Sequence, residues 1–204
     1  MKNNTFHYKD LLIETHNNVY DPAEDTFLLL EVINVKKDDF VLEIGTGCGI
    51  IALECAKLGA NVVCTDINPL AVELTKCNYL RNELLLNGNF EVRIGDLFSP
   101  VYSYELFDVI IFNPPYLPTK KGERIGGWLD AATDGGKSGL DTTKKFIEMV
   151  PKFLKDKGKA YFVFSSLADK NKLEHLIKKN KLYHEIILSK KYDDEILYVY
   201  LLKK

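Results

Sequence analysis

The sequence is poor in cysteine. It has four residues of this type (Cys48, Cys55, Cys64 and Cys77), none beyond position 77 and no two spaced as C-x-x-C. That scatter excludes a disulfide or zinc framework and reads as reduced thiols. Long apolar runs are missing as well. No stretch approaches the roughly 20 residues that span a bilayer, and the opening MKNNTFHYKD carries no apolar signal region. These absences lead to the expectation of a cytoplasmic protein with no membrane partner. Internal repeats and low-complexity tracts are absent, and no G-x-x-x-x-G-K-[ST] segment supports a phosphate-cradling NTPase loop. Neither sign of charge dominates, for the net charge is −2. The halves do differ, with 8 Lys/Arg against 15 Asp/Glu in residues 1–100 and 19 against 14 in residues 101–204. A basic face for an anionic partner is one reading; solvated helix faces account better for Lys152, Lys155, Lys178 and Lys179.

What is present is ordinary globular usage: 204 residues, 46% hydrophobic and 27% charged. One domain is the default at this length, with about 70% of the unfolded surface buried on folding. Residues 1–18 read as an N-terminal extension. Asp21-Pro22-Ala-Glu24-Asp25 then opens a helix running to about Ile33, with Asp21 as cap and Pro22 in the first turn. Strands are expected at Phe40–Ile44, Asn61–Asp66, Phe90–Ile94, Phe107–Phe112 and Lys159–Ser165. Helices are expected at about Gly49–Leu58, Pro69–Asn82, Thr142–Leu154 and Lys170–Lys179. His184–Ser189 and Ile196–Leu202, joined by Lys190–Asp194, predict a closing antiparallel hairpin. The alternation implies an open, doubly wound α/β fold with a seven-stranded, mostly parallel sheet and helices on both faces. A ligand then belongs at the carboxyl ends of the first and fourth of these strands, where the order reverses.

The unusual residues lie there. Glu43-Ile44-Gly45-Thr46-Gly47-Cys48-Gly49 runs from a strand into a helix, and its glycines permit a tight turn and close approach to a ligand. Ile50 stands where the third glycine of the dinucleotide fingerprint would fall. Asp66, at the end of the next strand, suits the two hydroxyls of a ribose. Asp96, in Gly95-Asp96-Leu97, suits an adenine amino group, with Leu97 against the ring. Three strand ends in register point to a nucleoside. Asn113-Pro114-Pro115-Tyr116 follows the apolar strand ending Val109-Ile-Ile-Phe112. Its prolines remove donors and fix the chain. The Asn113 side-chain oxygen and the Pro114 carbonyl can accept both hydrogens of a planar –NH₂ group, with Tyr116 against its face. An amine so held reacts by positioning alone, a resource of about 7–11 kcal/mol.

Together EIGTGCG, the acid of CTDINP, GDL and NPPY resemble the class I S-adenosylmethionine-dependent methyltransferases with a Rossmann-like fold. Tyr20-Asp-Pro-Ala-Glu-Asp-Thr-Phe-Leu-Leu-Leu30 narrows this to the HemK/PrmC group of protein-glutamine N-methyltransferases, in its short archaeal and eukaryotic branch. The resemblance runs from about Val19 to Leu202. It implies methylation of the glutamine amide in the Gly-Gly-Gln loop of a class I translation release factor, with S-adenosyl-L-methionine as cofactor. It implies cofactor contacts at Thr26, Glu43, Gly45, Gly47, Asp66, Asp96, Leu97 and Asn113, and substrate handling by Asn113, Pro114 and Tyr116, with no metal. A small zinc-binding activator subunit is the further partner it suggests, for which Asn61–Cys64 offers either a docking edge or an ordinary buried strand. Residues 117–141, with six of the 13 glycines and Trp128, read as a substrate-facing loop. NPPY also suits the amino nitrogen of adenine or cytosine in RNA or DNA. The balanced charge and the lack of a recognition domain weigh against direct nucleic-acid binding. A nucleoside-binding regulatory subunit would leave the amine clamp without a purpose.

Overall fold

The computed structural model describes residues 4–119 and 126–204. The chain opens with a small hairpin, β1 (Thr5–Tyr8) and β2 (Leu11–Glu14). There follow α1 (Glu24–Val32), β3 (Phe40–Ile44), α2 (Ile50–Lys57), β4 (Asn61–Asp66), α3 (Pro69–Asn82), β5 (Phe90–Ile94) and β6 (Phe107–Phe112). The second half holds α4 (Trp128–Thr133), α5 (Asp141–Phe153), β7 (Leu154–Ser165), α6 (Lys170–Lys179), β8 (Tyr183–Tyr192) and β9 (Glu195–Lys203).

Seven strands form one sheet in the order β5-β4-β3-β6-β7-β9-β8. The first five are parallel, and β9 runs antiparallel to both β7 and β8. Period-two alternation divides the core. Val41, Val109, Ile111, Tyr161 and Val163 face α1, α2, α3 and the hairpin. Leu42, Ile110, Phe112, Phe162 and Phe164 face α5 and α6. Because both faces are covered, the inner strands β3 and β6 are mostly apolar, whereas the edge strand β5 alternates with Glu91 and Arg93. The order turns back between β3 and β6, and the carboxyl ends of both open there.

The structure departs from the sequence reading at several ends. Ala23, with no side-chain cap bond, stands at the start of α1 in place of Asp21. Within the N-terminal extension, residues 5–14 form the hairpin, and Leu11 and Ile13 are fully buried in the core. β7 begins at Leu154, five residues before Lys159, because the chain pairs with Phe107 before a register shift. The closing turn contracts to Asp193-Asp194, with Asp193 at a φ of 39°. β4 lies between β3 and β5, so Asn61–Cys64 is buried interior strand and the sheet edge is β5. The segment 117–141 contains α4, while its residues 120–125 lie outside the described residues. Among the described residues no helix is long and apolar enough to cross a membrane.

Candidate active site

A cavity of about 370 Å³ opens at the carboxyl ends of β3, β4 and β6. Every residue singled out from the sequence lines it: Thr26, Glu43, Gly45, Gly47, Asp66, Asp96, Leu97, Asn113, Pro114 and Tyr116. The turn after β3 favours glycines in alternation, for Gly45, Gly47 and Gly49 have φ of 68°, 58° and 84°. A β-carbon on Gly49 would stand 2.8 Å from the Thr75 methyl. The turn is anchored to the sheet by Gly45 and Thr46, whose N–H groups both donate to the Thr65 carbonyl.

Two acidic side chains brace this turn from below. Glu43, 3% exposed, accepts from the Thr46 hydroxyl at 2.7 Å and the Ala52 N–H at 3.1 Å. Burial pushes its pKa up to about 8 in spite of these bonds. Asp66 accepts from the Gly47 N–H through Oδ2 and the Asn68 N–H through Oδ1, each at 2.9 Å. Its pKa is also raised by burial. Each Asp66 oxygen keeps lone-pair capacity for a ligand hydroxyl. Beyond β5, Leu97 adopts a φ of 49° without being glycine, and the Thr65 hydroxyl donates to its carbonyl at 3.3 Å. Such backbone strain persists where the surroundings enforce it, commonly at ligand sites. Asp96 lies exposed at the rim.

At the far wall, Asn113 follows β6 directly and Pro114 and Pro115 are buried. The Asn113 Oδ1 is shielded from solvent and has no hydrogen-bond partner among the described residues. Of the three side-chain atoms in that condition, it alone belongs to a residue lining the cavity. An orphaned buried acceptor costs about 1–3 kcal/mol, so its retention in the cavity wall calls for an explanation.

Asp25 escaped sequence reasoning, where it counted only as part of the run that opens α1. It is 3% exposed and lines the cavity. Its Oδ2 accepts from the hydroxyls of Tyr20 at 3.0 Å and Tyr116 at 3.1 Å. Its Oδ1 accepts from the Thr26 N–H at 2.6 Å and the Thr26 hydroxyl at 3.2 Å. Burial, then the Asp25 charge, raises the pKa of both tyrosines. Tyr116 therefore stays protonated and acts as a donor, not a base. The signal available was the clustering of Tyr20 and Asp25 in one short run; the partner Tyr116 is 91 positions away. Trp128, Ala131, Ala132 and Thr133 of α4, also unforeseen as an element, line the cavity as well.

The sheet order, with its glycine turn after β3 and an acid ending β4, is that of a class I methyltransferase. A family model for the methyltransferase small domain matches residues 11–126. The chain is 44% identical over 168 residues to a putative protein N5-glutamine methyltransferase of Methanocaldococcus jannaschii, covering 81% of this chain and 82% of the relative. Its fold resembles that of the E. cuniculi Mtq2–Trm112 complex responsible for methylation of the eRF1 translation termination factor. The TM-score is 0.66 at 23% identity, covering 92% of this chain and 99% of that one. It also resembles the T. thermophilus 16S rRNA N2 G1207 methyltransferase RsmC, solved with AdoMet and guanosine. There the TM-score is 0.73 at 18% identity, and all of this chain corresponds to 50% of that one. The chain belongs to the methyltransferase small-domain family and is a methyltransferase.

Proposed function

We propose that the cavity binds S-adenosyl-L-methionine and that the chain methylates the side-chain amide nitrogen of a protein glutamine. The substrate is the Gly-Gly-Gln loop of a class I translation release factor. The observation that carries this reading is the unpartnered, solvent-shielded Oδ1 of Asn113 on the cavity wall. An incoming primary amide supplies the missing donor, and its second hydrogen goes to the Pro114 carbonyl. The glutamine specificity follows that of the relative at 44% identity.

The residues present fit the cofactor. Asp66 offers acceptors to ribose hydroxyls, while Leu97 and Asp96 flank the place of the adenine. Gly45 and Gly47 allow backbone approach without a β-carbon, and Thr26 and Glu43 complete the wall. The cofactor, when bound, supplies an electrophilic methyl on a sulfonium. Asn113 and Pro114 hold the acceptor nitrogen in line, and Tyr116, fixed by Asp25, backs its plane. No base is needed before transfer, because the nitrogen sheds its proton once it carries the added methyl. Leu117 and, on α4, Trp128 and its neighbours line the cavity and face the substrate in this reading. A small zinc-binding subunit is the activator in this reading. The open edge of β5 is its place, where Ile94 is 58% and nearby Ile67 49% exposed.

The test is transfer of labelled methyl to a purified class I release factor and to its Gln→Ala loop variant. Label on the former alone, located on the glutamine by mass spectrometry, is the expected result. Asn113→Ala should retain cofactor affinity within about threefold and lose transfer by at least about 100-fold, in line with the weight of positioning. Equal label on the Gln→Ala loop variant, or none on the release factor, would overturn the substrate assignment.

A further inference from the structure

β2 pairs with β1 along one edge, and its other edge is met by a helix. Asn82 of α3 accepts from the Leu12 N–H and donates to the Leu12 carbonyl, both at 2.9 Å. One helical turn earlier Asn78 treats Glu14 in the same way, again at 2.9 Å for both bonds. Residues four apart on a helix face are about 5–6 Å apart, close to the two-residue repeat of a strand. Two side-chain amides thus replace a neighbouring strand.

Asn78 reaches further than Asn82. Its Nδ2 also donates to the Cys48 carbonyl at 2.8 Å, and Thr75 Oγ1 donates to the Gly47 carbonyl at 3.1 Å. Both side chains belong to fully buried residues, 0% exposed, and neither lines the cavity. Resting on the cofactor reading above, we propose that Asn78 is a positioning residue of the cofactor site, acting with Thr75 through the glycine turn. Together they hold the Gly47 and Cys48 carbonyls against α3. In a planar trans peptide the N–H lies opposite the carbonyl, so the Cys48 N–H is turned to the cavity side. Asn78 also ties this turn to the hairpin leading to Val19 and Tyr20, which form the adjoining wall. That wall is pinned separately where Asn68 Nδ2 donates to the Asn18 carbonyl at 2.8 Å.

Asn82 provides the internal control, since it grips the same hairpin and does not touch the turn. Cofactor titration calorimetry, steady-state kinetics and thermal denaturation are compared for the full chain and for Asn82→Ala, Asn78→Ala and Thr75→Val. Asn82→Ala should lower the melting temperature while its cofactor Kd stays within about threefold of the parent. Asn78→Ala and Thr75→Val should raise Kd about tenfold or more, the scale of one lost buried hydrogen bond. Their kcat at saturating cofactor should stay within about threefold. Thr75→Val keeps side-chain shape and decides the matter if Asn78→Ala does not fold. Kd values for both that track Asn82→Ala reduce the role to hairpin stability and overturn the proposal. A parent chain that fails to bind the cofactor at all overturns the underlying reading instead.

Discussion

Four donors converge on the two oxygens of Asp25, and all four come from residues that line the cavity. This carboxylate joins the start of α1 to Tyr116, which follows the Asn113-Pro114-Pro115 segment after β6. Replacing Asp25 by asparagine leaves one oxygen for both pairs of donors, and at least one buried hydroxyl loses its acceptor at a cost of about 1–3 kcal/mol. Asp25→Asn and Tyr116→Phe should each lower kcat/KM. Because they remove the same bond, their combined effect should fall short of the sum, with a coupling within about 0.5–3 kcal/mol. Strict additivity in that double-mutant cycle would show that Tyr116 works independently of Asp25. Asn113 was legible in the sequence because its chemistry is local: an amide, two prolines and a strand end lie within five positions. Asp25 was not, since its role exists only once a loop 91 positions away folds over it.

Among elements, the parallel strands and their helices could be read from apolar runs and from glycine or proline at their boundaries. The β1–β2 hairpin could not. Each of its strands has four residues, and its outer edge is satisfied by asparagine side chains 64 and 70 positions along the chain. No strand-pairing signal records that. α4 was hidden likewise, since its six residues are shorter than a sequence period can reveal. The turn between β3 and α2 makes a quantitative claim. Gly47→Ala meets nothing nearer than the Tyr20 carbonyl at 3.7 Å, so it should lose only the left-handed strain of about 1–2 kcal/mol. Gly49→Ala adds a 2.8 Å approach to Thr75 and should cost more, by a further 1–3 kcal/mol or so for overpacking. Urea unfolding checks the order, and equal midpoints for the two variants would show that α3 yields to the added methyl.

For the whole molecule, the sheet carries one buried acid through its middle. Glu43 lies on the central strand beneath the cavity, and burial lifts it from 4.5 to about 8. The folded state thus holds this proton more tightly than the unfolded chain does. Its stabilising contribution is complete below about pH 4.5 and is lost as pH rises through about 8. Asp66, raised by burial as well, acts in the same direction. Exposed ion pairs such as Lys76–Glu73 contribute little to any opposing trend. The global stability of the chain should therefore decline between pH 5 and pH 8, across roughly the range that separates the two states of Glu43. Glu43→Gln, which cannot ionise and keeps an oxygen to accept from Thr46, should flatten that decline. Denaturant midpoints measured at several pH values for both chains decide it. A parent curve that is flat, or a variant that keeps the full slope, would mean that Glu43 is ionised in the folded protein and that the turn above it rests on a buried charge.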